Sequence, residues 1–146
     1  MINLTRTDAA SGFIDNPDIY LKDDKVYLFS GTVDTVVDQK VAASLLQYYE
    51  AFIPARQITT DFDFDAEHCI PTPSYGEDCT TLSSPYIGNC GYSGAGQAFK
   101  TFYGVDIWYR QMIDANLFKF DQTPFFLDDG LNSIDDTGFI YIPTAC

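Results

Sequence analysis

Hydrophobic residues in the first third of the chain form a short run with the pattern of a buried strand. Residues 26–29 are apolar, β-branched and aromatic, which predicts such a strand. Ser30 and Gly31 interrupt the run, and Asp34 follows in the predicted loop. Because catalytic and ligand-binding groups of open α/β sheets lie at the carboxyl ends of strands, this loop is a candidate functional position.

The segment after this loop predicts a helix and then a second strand. Asp38 is a suitable N-cap for a helix that reaches about Ile53, and Pro54 would end it. The apolar residues at helical spacing are Val41, Leu45, Tyr48, Tyr49 and Phe52. Residues 57–64 alternate as a strand does. The short connections favour a right-handed parallel crossover, and thus an α/β fold with a small parallel sheet.

This order of elements places an acid and a base at one edge of the sheet. Asp34 follows the first strand, and His68, the only histidine in the chain, follows the second. Neighbouring strands lie about 4.8 Å apart, so the loops can bring a carboxylate within hydrogen-bond distance of an imidazole. Either residue alone is more often structural. Together, with the acid before the base, they favour a catalytic pair in the order of the α/β-hydrolases.

The sequence offers no convincing nucleophile for this pair. Residues 91–96 approach a G-x-S-x-G elbow around Ser93, but Ala95 stands where the last glycine belongs. Ser93 also follows the histidine, and no predicted strand precedes it. These features favour a loop or helix-cap role for Ser93, at the start of a helix that Gly104 ends. Cys69 is interpreted as a disulfide partner or buried thiol rather than a nucleophile.

The pattern weakens after residue 104. Residues 106–112 have some helical character, 117–121 form a short apolar patch, and 139–142 predict a strand. We therefore expect one domain over 1–146, with an irregular C-terminal region that ends in a strand. That last strand could pair with missing chain or with another subunit.

Charge and cysteine content limit the classes of function. The formal net charge of -13 argues against nucleic acid or an anionic membrane surface as a partner. No apolar run is long enough to span a bilayer, and the first residues lack the pattern of a signal peptide. Four cysteines favour an oxidising compartment. A disulfide between Cys79 and Cys90 would close a loop, although four cysteines allow three full pairings.

Metal and cofactor sites are not expected. The aspartates of residues 61–65 alternate as in a calcium loop, but Ala66 and Thr72 stand where that loop needs glycine and glutamate. The cysteines include no C-x-x-C pair of the kind that binds zinc. On a strand, the aspartates would form the polar face opposite the phenylalanines.

Five segments together resemble the secreted polyhydroxybutyrate (PHB) depolymerase-like esterases of the α/β-hydrolase superfamily. They are residues 26–37, 66–72, 84–92, 120–122 and 136–146. The resemblance implies a partial α/β-hydrolase fold, with Asp34 as the acid and His68 as the base of a catalytic triad. In similar proteins the serine elbow precedes the acid loop, and oxyanion-hole groups follow the final strand. Neither part is recognisable here, and Cys146 would bridge to the absent continuation.

The predicted function is therefore a portion of a secreted serine esterase that hydrolyses a polyester or another carboxylic ester. This chain would supply Asp34 and His68, and the nucleophilic serine and oxyanion hole would be absent from it. By itself, the chain is expected to be nearly inactive. The alternative is a non-catalytic α/β binding or interaction module that has lost its nucleophile.

Overall fold

The computed structural model describes residues 1–104, 112–127, 130 and 133–144, which fall into two compact units. The first unit is Met1–Ile107 and the second is Trp108–Cys146. The helix expected over 106–112 falls almost wholly outside the described residues, as does Cys146. The expectation of one domain over 1–146 stays a prediction.

The first unit contains four α-helices, one short 3-10 helix at Ala55–Gln57 and five short strands among its described residues. The helices are α1 (Ile2–Ala10), α2 (Pro17–Tyr20), α3 (Gln39–Glu50) and α4 (Gly94–Tyr103). The strands are β1 (Val26–Phe29), β2 (Ile58–Asp61), β3 (Ile70–Thr72), β4 (Glu77–Asp78) and β5 (Ile87–Asn89).

Strands β1 and β2 pair in parallel and are connected through α3. Asp38 caps α3, as expected, because its carboxylate accepts a hydrogen bond from the backbone N–H of Lys40 at 2.9 Å. The strand expected over 57–64 is wrong in length, since β2 ends at Asp61. After the end of β2 the chain turns toward α3. The side-chain amide of Gln39, in α3, donates to the carbonyl of Phe62.

Two further parts of this unit differ from the sequence predictions. Residues 1–24, for which no helix is predicted, contain α1 and α2, joined by an ion pair between Arg6 and Asp18 at 3.1 Å. A second parallel sheet, in the order β3-β5-β4, was also not predicted. Its strands are two or three residues long, which is too short for a periodic signal.

The hydrophobic core of the described residues is small. The buried hydrophobic side chains are those of Phe52, Ile53 and Ala66. Residues of β1 are only half-buried, although parallel sheets are normally covered on both faces. Much apolar surface therefore remains in contact with solvent. None of the described helices is long and apolar enough to cross a membrane.

The second unit is built on an antiparallel pair, β6 (Leu117–Asp121) and β7 (Thr137–Tyr141). The apolar patch of residues 117–121 is thus a strand. The final strand begins two residues before the predicted start at Phe139. Short 3-10 helices at Asp114–Asn116 and Thr123–Phe125 flank β6.

Candidate active site

Asp34 lies in a tight turn after β1, where its own backbone holds its carboxylate. One carboxylate oxygen, Oδ1, accepts hydrogen bonds from the N–H groups of Val36 at 2.9 Å and Val37 at 2.8 Å. An aspartate that bonds to N–H groups two and three residues later stabilises the turn that contains it. The second oxygen, Oδ2, is thereby directed away from its own loop and is available to another partner.

That partner is His68, whose Nδ1 lies 3.1 Å from Oδ2 of Asp34. The Asp34 side chain is only 9% exposed, whereas the imidazole is 44% exposed. Burial acts to raise the pKa of Asp34, but the hydrogen bonds from Val37, His68 and Val36 outweigh it and leave that pKa below its ordinary value. An ionised carboxylate can only accept, so Nδ1 carries the proton, and in the neutral form of the imidazole Nε2 is an acceptor.

The two loops meet through their backbones. A Cβ atom added to Gly31 would lie 1.9 Å from the carbonyl oxygen of Ala66, so only glycine allows this approach. Ala66 is completely buried at the contact. Beside it, the hydroxyl of Thr32 donates to the carboxylate of Asp65 at 2.5 Å. This packing fixes the separation between the acid loop and the histidine loop.

Glu67 is a buried carboxylate that sequence reasoning missed. Only 5% of the residue is exposed, and the carboxylate accepts hydrogen bonds from Thr35 and from the backbone N–H of His68. The Thr35 hydroxyl and the N–H of His68 lower the pKa of Glu67, although burial and the charge of Asp34 oppose them. A glutamate next to a histidine carries no sequence signal, because the pattern does not show whether its side chain is buried.

An apolar groove of about 580 Å³ opens beside the histidine. It is lined by Val36, His68, Cys69, Ile70, Leu82, Pro85 and Tyr86. The ring of Tyr86 stands edge-on to the imidazole, with 6.4 Å between ring centroids. A groove in which an imidazole, a thiol and a phenol lie among apolar side chains has the character of a site for a small, mostly apolar ligand.

The cysteines near this groove have different states. Cys79 and Cys90 form a disulfide, the pairing that the sequence suggested as useful, with their Cα atoms 4.8 Å apart. Cys69 is a free thiol. Burial, followed by the charges of Asp34 and Glu67, raises the pKa of this thiol. A thiol held in its neutral form is a poor nucleophile, in agreement with the structural role expected for it.

Ser93 caps α4, as the sequence indicated. Its hydroxyl accepts a hydrogen bond from the N–H of Gly96 at 3.0 Å. The helix ends at Gly104, which has the left-handed conformation at φ 70°. Within the part of the chain that the structure describes, no hydrogen bond joins Ser93 to His68. The site thus brings together an acid and a base, whereas Ser93 is engaged elsewhere.

Comparison with known proteins gives this geometry a family context. Over 148 residues the chain is 36% identical to a poly(3-hydroxybutyrate) depolymerase from Delftia acidovorans, covering 100% of this chain and 29% of that protein. It is 31% identical over 126 residues to a polyhydroxybutyrate depolymerase from Talaromyces funiculosus, covering 84% of this chain and 36% of that one. The chain is similar to PHB depolymerases. The resemblance inferred from its motifs is confirmed.

Solved structures agree with this similarity. A PHB depolymerase from Penicillium funiculosum matches with a TM-score of 0.77 and 29% identity, over 97% of this chain and 46% of that chain. A serine-to-alanine variant of a PHB depolymerase, complexed with an R3HB trimer, matches over the same shares with a TM-score of 0.79. No model of a protein family matches the chain. The chain spans about a third of the length of the curated relatives it matches.

Proposed function

We propose that this chain is a portion of a serine esterase with a partial α/β-hydrolase fold, in which Asp34 is the triad acid and His68 the triad base. The observation that carries the proposal is the 3.1 Å contact between Oδ2 of Asp34 and Nδ1 of His68. Two backbone N–H groups hold the other oxygen of Asp34, so the carboxylate is oriented before any substrate arrives. The nucleophilic serine and the oxyanion donors would come from polypeptide outside this chain.

In the proposed reaction, Nε2 of His68 takes the proton of a serine hydroxyl as that oxygen attacks the ester carbonyl. Asp34 stabilises the imidazolium that forms and holds Nδ1 as the protonated nitrogen. The imidazolium then gives its proton to the departing alcohol, and the acyl group remains on the serine as an acyl-enzyme. Water, activated by the same imidazole, hydrolyses the acyl-enzyme and restores the serine.

The apolar groove supports an ester with short aliphatic groups as the substrate. Poly(3-hydroxybutyrate) presents uncharged ester units that carry methyl groups, and the side chains of Val36, Ile70 and Leu82 could pack against such units. The depolymerase names of the similar proteins point to the same polyester. The proposed substrate is therefore a poly(3-hydroxybutyrate)-like polyester or another short-chain ester. No cofactor takes part in the proposed reaction.

The proposed location of this esterase is extracellular. The Cys79–Cys90 disulfide supports it, because such bonds persist mainly in oxidising compartments. A polymer too large to enter a cell would also have to be cleaved outside it. Recovery of the protein from culture medium tests secretion, and a difference between its intact and reduced masses shows that the disulfide is present.

A chimera tests the catalytic proposal directly. In the Delftia acidovorans depolymerase, the segment that aligns with this chain would be replaced by residues 1–146. We expect the chimera to hydrolyse p-nitrophenyl butyrate, and His68→Ala to lower kcat by several orders of magnitude. Ser93→Ala is the matched control, because its hydroxyl caps α4, and it should retain kcat.

The outcomes separate the two functions that the sequence left open. Wild-type activity in the His68→Ala chimera would refute the role of His68. A chimera that folds and binds the polyester without hydrolysing it would favour the non-catalytic module. Activity of the isolated chain that is lost in Ser93→Ala would restore Ser93 as the nucleophile.

A further inference from the structure

We propose that Glu67 is a positioning residue that sets the orientation of the His68 imidazole by clamping the histidine loop to the acid loop. Its effect on catalysis rests on the proposed function, but its effect on His68 does not. Glu67 would not touch substrate. It would act through His68 on one side and through the residue after Asp34 on the other.

The clamp consists of one carboxylate between two loops. Oε1 of Glu67 accepts from the Thr35 hydroxyl at 2.5 Å and from the Thr35 N–H at 3.2 Å. Oε2 accepts from the N–H of His68 at 2.6 Å and from the Thr35 N–H at 3.1 Å. Thr35 directly follows Asp34, so a single side chain connects the backbones that carry both members of the pair.

The histidine loop is also held from behind. The backbone N–H of Glu67 donates to the carbonyl of Cys79 at 2.8 Å, next to the disulfide with Cys90. Glu67 thus has its backbone fixed to the disulfide segment and its side chain fixed to the acid loop. This arrangement restricts the movement of Glu67, and it thereby also restricts the movement of the Cα of His68.

The chemistry of the clamp favours a carboxylate, because its hydrogen bonds are then charge-assisted. Both of its oxygens face N–H donors, and a glutamine amide has only one oxygen. If that oxygen took the position of Oε1, the amide nitrogen would face the N–H of His68 and set two donors against each other in a site that is 5% exposed. If it took the position of Oε2, it would accept from both N–H groups and the amide nitrogen would donate to the Thr35 hydroxyl, but neutral bonds would replace the stronger charge-assisted ones. Glutamine therefore weakens the clamp in either arrangement.

Imidazole nitrogen NMR of the present chain is the test. His68 is the only histidine, so the spectrum contains one imidazole whose two nitrogens can be assigned without ambiguity. At pH 8.5, where an ordinary imidazole is neutral, we expect the parent chain to carry its proton on Nδ1. In Glu67→Gln, the Nδ1 shift should move toward that of an unprotonated nitrogen, because the imidazole no longer meets Asp34 at a fixed angle.

Glu77→Gln is the matched control, since it makes the same chemical change at an exposed position of β4. Its Nδ1 shift should equal that of the parent. A Glu67→Gln protein that melts as the parent does and keeps the parent shift would overturn the proposal. If Glu67→Gln does not fold, Thr35→Val decides, because it removes the hydroxyl donor to Glu67 without changing charge or shape. An unchanged Nδ1 shift there would also overturn the proposal.

The chimera separates this proposal from the proposed function. A displacement of about 1 Å in a catalytic group can cost about 100-fold in rate. We therefore expect Glu67→Gln to lower kcat by about that factor with little change in KM. A shifted Nδ1 signal, combined with full activity in the His68→Ala chimera, would uphold the clamp and refute the function. An unshifted Nδ1 signal in Glu67→Gln, combined with an inactive His68→Ala chimera, would refute the clamp and support the function.

Discussion

The two loops after β1 and β2 differ from the β6–β7 pair in how far contacts within the chain bury their side chains. In the loops, Asp34 and Glu67 are nearly buried, and hydrogen bonds from the same two loops satisfy both carboxylates. In the β6–β7 pair, Phe118 and Ile140 lie opposite each other and are 48% and 49% exposed. The polar groups of the site thus find hydrogen-bond partners within the chain, whereas the apolar side chains of the β6–β7 pair remain about half exposed.

This difference shows which features the chain can establish by itself. The hydrogen bonds of the site join residues of this chain, so we expect the Asp34–His68 geometry to form without further protein. A two-stranded sheet with exposed apolar side chains is at best marginally stable in water. Exposed apolar patches of this kind often mark surfaces that contact other protein. The comparison makes the site the better target for chemical tests and the β6–β7 pair the better target for tests of association.

The largest effect is expected from Asp34→Asn in the chimera. Asparagine can keep the bonds from Val36 and Val37 through its oxygen, but its NH₂ group then faces Nδ1 of His68. The imidazole must then accept through Nδ1 and carry its proton on Nε2. A protonated Nε2 cannot act as the base. The same change in a known triad costs about 10⁴ in kcat, and we expect a similar loss in p-nitrophenyl butyrate hydrolysis.

Asp38→Asn provides the control for this change. It removes the same charge from the exposed cap of α3, and asparagine caps helices as well as aspartate does. Its kcat should match that of the unchanged chimera. Equal losses in the two variants would show that net charge, rather than the hydrogen bond to His68, determines the rate.

The next largest effect concerns the disulfide that supports the histidine loop. Cys79 and Cys90 are 11 residues apart, and closing a loop of that length stabilises a protein by about 2–3 kcal/mol. The double variant Cys79→Ser, Cys90→Ser should lose about that free energy of unfolding in urea. Both cysteines are replaced because the free thiol of Cys69 lies within 4.8 Å of their sulfur atoms and could pair with one left behind.

Cys69→Ser is the control, and its free energy of unfolding should stay closer to that of the parent. The double variant should also shift the Nδ1 signal of His68, because the carbonyl of Cys79 holds the N–H of Glu67. A loss of stability without any change at His68 would show that the disulfide stabilises the fold but does not support the site.

The sequence predicted the contact between Asp34 and His68 because its signals are local and regular. An apolar strand, a capped helix and a second strand fix the order of β1, α3 and β2. A parallel crossover then places Asp34 and His68 at one edge. The cap positions Asp38 and Ser93 could also be predicted, since capping depends on residue type and on the few residues that follow.

The remaining features depend on contacts between distant segments, which no local pattern encodes. Gly31 and Ala66 meet only after the two loops have folded, and the same holds for the carboxylate of Glu67 and the hydroxyl of Thr35. The three short strands β3, β4 and β5 are defined by their mutual pairing rather than by their own composition. The end of β2 at Asp61 was missed for a similar reason, since Phe62 and Phe64 continue the alternation after the pairing with β1 has stopped.

The smallest effect is expected in the β6–β7 pair, where Phe118→Ser tests whether the apolar face is covered. Phe118 shares a face with Phe120 and Ile140, and all three are about half exposed. If that face meets only water, the substitution removes one cross-strand contact and lowers the free energy of unfolding by less than about 1 kcal/mol. Binding of the dye ANS, which reports exposed apolar surface, should fall at the same time.

Phe139→Ser is the matched control on the opposite face, where the ammonium of Lys119 lies 5.4 Å from the ring centroid. Its effect should be equally small, because cation–π contacts at exposed sites contribute about 0.5–1 kcal/mol. Truncation of a fully buried aromatic side chain costs about 3–5 kcal/mol. A loss of that size for Phe118→Ser alone would therefore mean that its face is covered in solution, and the contrast with the site loops would then disappear.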